Sequence, residues 1–336
     1  MTSLQAYNPS GGYRSRVVGT GSYLPEKVVT NTDLTRYVET SDEWIRQRTG
    51  IERRHVADDE ETTSRMALES GRRALQAAGL SAADIDTVIV ATSTPDCTFP
   101  ATAMRVQAGL EMQHGYAFDL QAVCSGFIYG LSVADSLLKT GQARRILLIG
   151  AERFTNLIDW TDRSTCVLFG DGAGAVVLEQ QEDPRDSQGR PCGFLSHHLH
   201  SEGQLESILK CTGGPGTTRT TGTVVMEGRE VFKRAVAHLA EVVDETLNHH
   251  GITGADLDWL VPHQANLRII EATAQKLNMP MDKVILTIQH HGNTSAASVP
   301  LALDQGVRDG RVKTGDLVLM EAMGAGLTWG ASLLRF

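Results

Sequence analysis

The sequence predicts an α/β protein with mixed sheets covered by helices, and three observations carry that reading. Continuous apolar runs at 86–91, 145–149 and 173–178 suit strands buried on both faces. Amphipathic stretches that stop at a glycine stand between them, as at 63–78 before Gly79. The alternation of strand and helix signals continues across 13–336.

Taken in order, 16–19 is a short apolar strand, and Gly19-Thr20-Gly21 reads as the turn that ends it. Residues 42–48 read as a helix, with Ser41 as N-cap and Gly50 just past its end. Cys166 lies in Thr165-Cys166-Val167-Leu168-Phe169, which reads as a core strand. A second series starts near Gly193. It holds a helix at 231–250 ending before Gly251, and strands at 258–261, 283–288, 316–320 and 331–336. The charged stretch 180–192 carries Pro184, Gly189 and Pro191 and marks a boundary. The expected units are therefore an N-terminal half over 13–182 and a C-terminal half over 193–336. The halves carry a trace of duplication. Cys124 opens a small-residue stretch that closes at Gly141, and Asn293 opens one that closes at Gly310; both pairs stand 169 residues apart. That offset puts Cys124 and Asn293 at corresponding helix starts.

Composition narrows the classes. A chain of 336 residues is long enough for two cores. With 41% hydrophobic and 21% charged residues it reads as globular, and no apolar run reaches the roughly 20 residues of a membrane helix. Residues 1–12 are polar, lack the apolar core of a signal peptide and read as a loose leader, so a cytoplasmic address is expected. A net charge of −9 speaks against a nucleic-acid footprint, though not against a local basic patch for an acidic partner. The cysteine count, five, is odd and no pair has CxxC spacing, so free thiols are expected, one of them a candidate nucleophile.

That candidate is Cys124, where a strand at 118–120 runs into a helix through small residues. Unpaired N–H groups and the positive end of the dipole at a helix start favour a thiolate. The same backbone N–H can donate to an oxyanion. A buried packing cysteine is the alternative, and the local sequence leaves both open. His263 follows an apolar strand and a proline, a common place for function in α/β proteins, although a single histidine is more often structural. Asn293 lies in His291-Gly292-Asn293-Thr294-Ser295-Ala296-Ala297-Ser298, a tight turn with almost no bulk; its amide can donate to developing negative charge, or simply cap a helix. Trp44 and Arg48 share a helix face, and an indole beside a guanidinium suits a base next to a phosphate. His197, His198 and His200 have no ligand-spaced partner and read as a strand with polar alternation; no metal is expected. The glycine-rich stretch 170–174 lacks the lysine and helix of a phosphate loop.

Together these pieces resemble the β-ketoacyl-acyl-carrier-protein synthase III family, the initiating condensing enzymes of type II fatty acid synthesis. The motifs are Gly19-Thr20-Gly21-Ser22-Tyr23-Leu24-Pro25, Thr40-Ser41-Asp42-Glu43-Trp44, Arg48-Thr49-Gly50-Ile51, Phe169-Gly170-Asp171-Gly172-Ala173-Gly174, the run from Pro262 through His263-Gln264-Ala265-Asn266 to Ile270, and the run from His291 to Pro300. The resemblance covers about 13–336 and implies the thiolase fold, a duplicated five-layer αβαβα architecture, usually homodimeric. It implies Cys124 as nucleophile with His263 and Asn293 as its catalytic partners, and an oxyanion hole from the N–H groups of Cys124 and Ala325. It further implies coenzyme A contacts at Trp44, Arg48, Arg163 and Asn266. Phe169 and Met323 would wall the acyl pocket, with Phe99 reaching into the partner subunit's pocket. Lys233, Arg234, Gln264 and Arg268 would receive the carrier protein. The implied reaction joins an acyl group from acyl-coenzyme A to malonyl-acyl-carrier-protein and needs no cofactor.

Two features depart from the family. Met323-Gly324-Ala325-Gly326-Leu327 stands where Phe-Gly-Gly-Gly-Phe is frequent, which keeps the backbone N–H groups but changes the pocket wall, and so admits priming by longer or branched acyl groups. The stretch 211–222, rich in Gly and Thr, borders the expected entrance. A thiolase would need a second cysteine near the C-terminus, whereas the last here is Cys211. An inactive binding paralogue would not need Cys124, His263 and Asn293 together.

Overall fold

The computed structural model describes residues 12–336; the expected leader, apart from Gly12, lies outside the described residues. Two sheets are built on one plan. The first holds β1 (Tyr13–Tyr23), β2 (Thr87–Ala91), β3 (Tyr116–Leu120), β4 (Arg145–Glu152) and β5 (Gly172–Glu182) in the order β1-β5-β4-β2-β3. β5 is antiparallel to β1 and β4, while β2 runs parallel to β4 and β3. The second holds β6 (Gly193–Ser201), β7 (Trp259–Pro262), β8 (Leu317–Gly324) and β9 (Thr328–Arg335) in the order β6-β9-β8-β7. Its directions repeat the first: antiparallel, antiparallel, parallel. A single parallel bridge from Leu260 to Val284 stands where a fifth strand would be. The strand expected at 283–288 is therefore not formed. That segment is framed by the turn Met281–Lys283 and the short helix Ile288–His291, and Gln264 ties up the N–H groups of Thr287 and Ile288 that a ladder would need.

Seven helices complete the layers: α1 (Asp42–Thr49), α2 (Thr63–Ala78), α3 (Thr102–Gly109), α4 (Gly126–Lys139), α5 (Gly228–His250), α6 (Leu267–Lys276) and α7 (Ser298–Arg308). α2 and α3 cover the outer face of the first sheet, and α5 covers that of the second with α6 packed beside it. α4 and α7 lie between the sheets. This is the five-layer arrangement the resemblance implied. The helix ends follow their sequence signals: Ser41 accepts from the Trp44 N–H, and Gly50, Gly79 and Gly251 close α1, α2 and α5 in the left-handed conformation.

Two local expectations fail for tertiary reasons. Gly19-Thr20-Gly21 is not a turn but the middle of β1, where the strand passes over α2. A Cβ at Gly19 would come within 2.4 Å of the Ala74 carbonyl, and one at Gly21 within 2.3 Å of the Ser70 carbonyl. Cys166 ends a helical turn, Arg163–Cys166, because Asp162 caps it through the Ser164 N–H; the residues after it are apolar because the chain is mostly buried from Thr165 onward.

The central helices show the duplication. Asp135 and Asp304, Lys139 and Arg308, and Gly141 and Gly310 all stand 169 residues apart. Each aspartate is buried, pairs with the basic residue four positions on, and accepts from hydroxyls of β1: Ser15 for Asp135, Thr20 and Ser22 for Asp304. At the helix starts the offset slips. The left-handed residues that open the two helices are Val123, at φ 48°, and Ser295, at φ 50°. They stand 172 apart, so α7 lacks three residues, close to one turn, at its start. Cys124 and Asn293 are therefore not counterparts: Cys124 follows its strained residue, and Asn293 precedes its own.

Glu321, on β8, is a fully buried carboxyl with no hydrogen-bond partner at Oε2, and burial pushes it up to about 8. A carboxyl raised on folding favours the native state in its protonated form. That advantage is intact below about pH 4.5 and is lost as pH rises through 8, at a cost on the order of 5 kcal/mol. Thermal melts of Glu321→Gln should match wild type at pH 5 and lie several degrees higher at pH 9. An equal offset at both pH values would mean that Glu321 is ionised and paired in the native protein.

Candidate active site

A cavity of about 1370 Å³ opens between the halves, and Cys124, His263 and Asn293 all line it. Cys124 sits in the tight turn Val123–Ser125 that leads into α4. A β-branched residue at φ 48° is strained by about 1–3 kcal/mol, so the turn must be held from outside. Ser125 Oγ donates to the Ala122 carbonyl at 2.7 Å and meets Thr328 Oγ1 at 2.7 Å. Thr328 Oγ1 also reaches the Ala122 carbonyl at 3.1 Å. The backbone of Gly324 packs onto the same turn, since a Cβ there would lie 2.8 Å from the Cys124 nitrogen. The loop carrying Ala325 is thus pressed over the Cys124 amide, and Ala325 lines the cavity beside it.

The thiol itself departs from the sequence expectation of a resting thiolate. Burial pushes Cys124 up to about 12 and the nearby Glu152 carboxylate adds to the rise, while the neighbouring Ser295 side chain opposes it. The resting group is a thiol, and its proton must go somewhere when it reacts.

His263 follows β7 and is fully buried, which lowers its pKa to about 3, so the ring is neutral. Its Nδ1 lies 2.5 Å from Ser298 Oγ, and the Gln264 N–H also points at that hydroxyl, at 3.4 Å. We assign the Ser298 proton to Nδ1, the one hydrogen-bond partner of Ser298 Oγ able to accept it. The histidine proton then sits on Nε2, which makes His263 a donor toward the cavity. Asn293 is oriented in the same way. Its Oδ1 accepts from the Ser295 N–H at 2.9 Å, so Nδ2 is the end left to donate. Backbone bonds from Asn293 to Leu168 and from Gly170 to Asn293 clamp it on both sides. It serves as a local cap and as a donor at once. Two neutral N–H donors lining the same cavity as a thiol can stabilise a negative oxygen without taking a proton from anything.

The remaining predicted residues fall into place unevenly. Phe169 and Met323 line the cavity, and Phe169 stacks on Phe154 with ring centroids 4.5 Å apart. Asn266 lines it too; it caps α6 and its Nδ2 donates to the Arg48 carbonyl at 3.0 Å, tying α1 to the mouth. Trp44, Arg48 and Arg163 do not line the cavity, but they do come together: the Arg163 and Arg48 guanidinium groups lie 4.8 and 5.4 Å from the Trp44 ring centre. Lys233 and Arg268 are exposed, Arg234 is held by Glu230, and Arg268 lies over Phe232. Phe99 is 82% exposed and does not line the cavity of its own chain. Gln264 is a correction: it has no exposed surface, and its amide is spent on Pro262, Thr287, Ile285 and Ile288, so it cannot touch a docked protein. Sequence reading gave no role to Ser295, Ser298 or Glu152. The first two lay inside a recognised motif. Glu152 left one signal, a charge ending a continuous apolar strand.

The comparisons agree with this geometry. The 3-oxoacyl-[acyl-carrier-protein] synthase III model matches residues 118–203, and the model of that family's C-terminal part matches residues 247–336. Relatives named beta-ketoacyl-[acyl-carrier-protein] synthase III from Paramagnetospirillum magneticum and Rhodospirillum centenum are each 58% identical over 96% of this chain and 99% of their own. The crystal structure of 3-oxoacyl-[acyl-carrier-protein] synthase III from Aquifex aeolicus superposes with a TM-score of 0.90 at 49% identity, over 96% of this chain and 100% of that one. A priming β-ketosynthase from a polyketide biosynthetic pathway superposes with a TM-score of 0.89 at 37% identity, over 96% of each chain. With motifs, layered fold and cavity in agreement, the chain belongs to the 3-oxoacyl-[acyl-carrier-protein] synthase III family.

Proposed function

We propose that this protein condenses an acyl group from acyl-coenzyme A with malonyl-acyl-carrier-protein, releasing carbon dioxide and forming a 3-oxoacyl-carrier protein, and so starts fatty acid chains. The observation that carries the reading is that Cys124, His263 and Asn293 line one cavity, with His263 Nδ1 bound to Ser298 Oγ and Asn293 Oδ1 bound to the Ser295 N–H, which leaves Nε2 and Nδ2 as the ends free for substrate. Cys124 attacks the thioester, and coenzyme A leaves. The N–H groups of Cys124 and Ala325 hold the tetrahedral oxyanion. Malonyl-carrier protein then loses carbon dioxide, and His263 and Asn293 donate to the thioester oxygen as the enolate forms. The enolate carbon attacks the acyl group on Cys124. Decarboxylation generates the carbanion directly, so the chemistry asks for neither a base at carbon nor a metal or redox cofactor.

Trp44 and Arg163 sandwich the adenine of coenzyme A, with Arg48 toward its phosphates and Asn266 along its pantetheine arm. On this reading Trp44→Ala raises the KM for acetyl-coenzyme A roughly tenfold and leaves kcat nearly unchanged, because the lost contact is made equally in ground and transition states. Steady-state kinetics on the variant check this, and a fall in kcat alone would refute it. Lys233, Arg234 and Arg268 form the patch for the acidic carrier protein on a chain whose net charge is −9. The exposed Phe99, together with Met104 and Tyr116 on the β3 side of the first sheet, supports a homodimer in which Phe99 enters the partner's acyl pocket. Among the described residues no helix is long and apolar enough to cross a membrane; the proposed address is the cytoplasm.

Incubation with acetyl-coenzyme A and, separately, octanoyl-coenzyme A, followed by intact-mass spectrometry, tests the first half-reaction. An acetyl adduct that is lost in Cys124→Ala is the expected result. Priming by longer or branched acyl groups is the second reading, favoured by the flexible Met323 wall, and octanoyl labelling alone would select it.

A further inference from the structure

Beneath the nucleophile lies a buried carboxyl that the two half-reactions, as described, do not use. Glu152 ends β4 with no exposed surface. Thr94 Oγ1 donates to it at 2.7 Å, Thr92 Oγ1 at 3.3 Å and the Ser93 N–H at 3.1 Å. From the other side Ser295 Oγ donates to its Oε1 at 3.1 Å. The turn that carries Ser295 packs on the turn that carries Cys124, which sets the Ser295 hydroxyl beside the thiol. With its own proton given to Glu152, Ser295 Oγ can only accept from the thiol, so one hydroxyl stands between thiol and carboxyl. The bridge is built rather than incidental. Ser295 is itself held at φ 50°, and Gly150, two residues before Glu152, leaves room for the Ala296 carbonyl 2.3 Å from where a Cβ would be. No charged side chain bonds Glu152 among the described residues; Arg153, next in sequence, turns to Asp59 instead. His263 cannot take the thiol proton at Nε2, which already carries one.

Resting on the function proposed above, we infer that Glu152 receives the Cys124 proton through Ser295 and keeps it for the lifetime of the acyl-enzyme. As Sγ attacks the acyl carbon, the Sγ proton passes to Ser295 Oγ and the Ser295 proton passes to Glu152 Oε1. The carbon–sulfur bond to coenzyme A breaks with its electron pair, and the departing thiolate takes a proton from solvent. In the second half-reaction the enolate carbon bonds to the acyl carbon and the bond to Sγ breaks with its pair. The proton then returns from Glu152 through Ser295 to Sγ. One solvent proton is consumed per turnover, as the loss of a malonyl carboxylate as carbon dioxide requires. Burial raises Glu152 to about 7, so near neutral pH a substantial fraction of the enzyme has Glu152 ionised and able to take the thiol proton, and the Glu152 charge in turn disfavours a thiolate at Cys124.

The test is the pH profile of single-turnover acylation by acetyl- or octanoyl-coenzyme A, followed by quenching and intact-mass spectrometry from pH 5.5 to 9.5. Glu152→Gln keeps the size and most contacts but cannot accept the proton, and Ser295→Ala removes the bridge while leaving the carboxyl. Both should slow acylation at pH 7 at least tenfold and move the midpoint of the profile up by one pH unit or more, toward unaided ionisation of the thiol. A uniform fall with an unmoved midpoint would show a merely structural role and overturn the inference, as would wild-type rates in either variant. Should Glu152→Gln fail to fold by circular dichroism, Ser295→Ala alone decides. An absence of acyl adduct in the wild type would instead overturn the proposed function.

Discussion

Cys124→Ala should yield no acyl adduct with any acyl-coenzyme A and should lower condensation by roughly 10⁵-fold or more. No other thiol can substitute. Cys166 and Cys192 are buried away from the cavity, and of the two that do line it, Cys97 lies on a loop and Cys211 ends the short strand Leu209–Cys211, neither of them at the start of α4. Cys124→Ser is the sharper variant. It keeps the turn, the backbone N–H and nearly the volume, and loses only the soft, ionisable sulfur. An alkoxide is far harder to form in this buried setting, so the serine protein should also fall by about 10⁴-fold. Intact mass and release of coenzyme A measure both. Substantial acylation of either variant would place the nucleophile elsewhere.

Asn293→Asp separates the two half-reactions. The substituted carboxylate still accepts from the Ser295 N–H, so the turn survives, but the Nδ2 donor is gone and a negative charge faces the forming enolate. Acylation of Cys124 should stay within a few-fold of wild type. Condensation with malonyl-carrier protein should drop about 10²–10³-fold, the loss of one preorganised donor. His263→Ala should show the same split. An equal fall in both half-reactions would mean that Asn293 shapes the cavity and does not stabilise the enolate.

Much of the architecture was legible because it is written in local patterns. The buried strand at 87–91 is a plain apolar run, and Ser41, Gly79 and Gly251 mark helix ends by their own conformational preferences. Cys124 was legible as a candidate because it stands between a strand and a helix, and the structure puts it on the cavity wall. What the sequence hid depends on residues far away in the chain. The glycines at 19 and 21 serve α2 and not a turn. Val123 takes a conformation its side chain disfavours, because Ser125, Thr328 and Gly324 hold it there. The polar surface of Gln264 is spent inside the protein. The slip between Cys124 and Asn293 is a helix shortened at one end, which no identity count between the halves reveals.

The hydroxyl that fixes the imidazole of His263 also bears on what the protein refuses to do. An acyl-thioester waiting for a second substrate is exposed to water, and hydrolysis would waste it. Water attacks thioesters efficiently when a neighbouring base takes its proton. Here the one free imidazole lone pair, at Nδ1, is covered by Ser298 and turned away from the cavity. The waiting enzyme therefore offers water no imidazole base, so patience toward the slower-arriving substrate is built into the choice of which ring nitrogen faces inward.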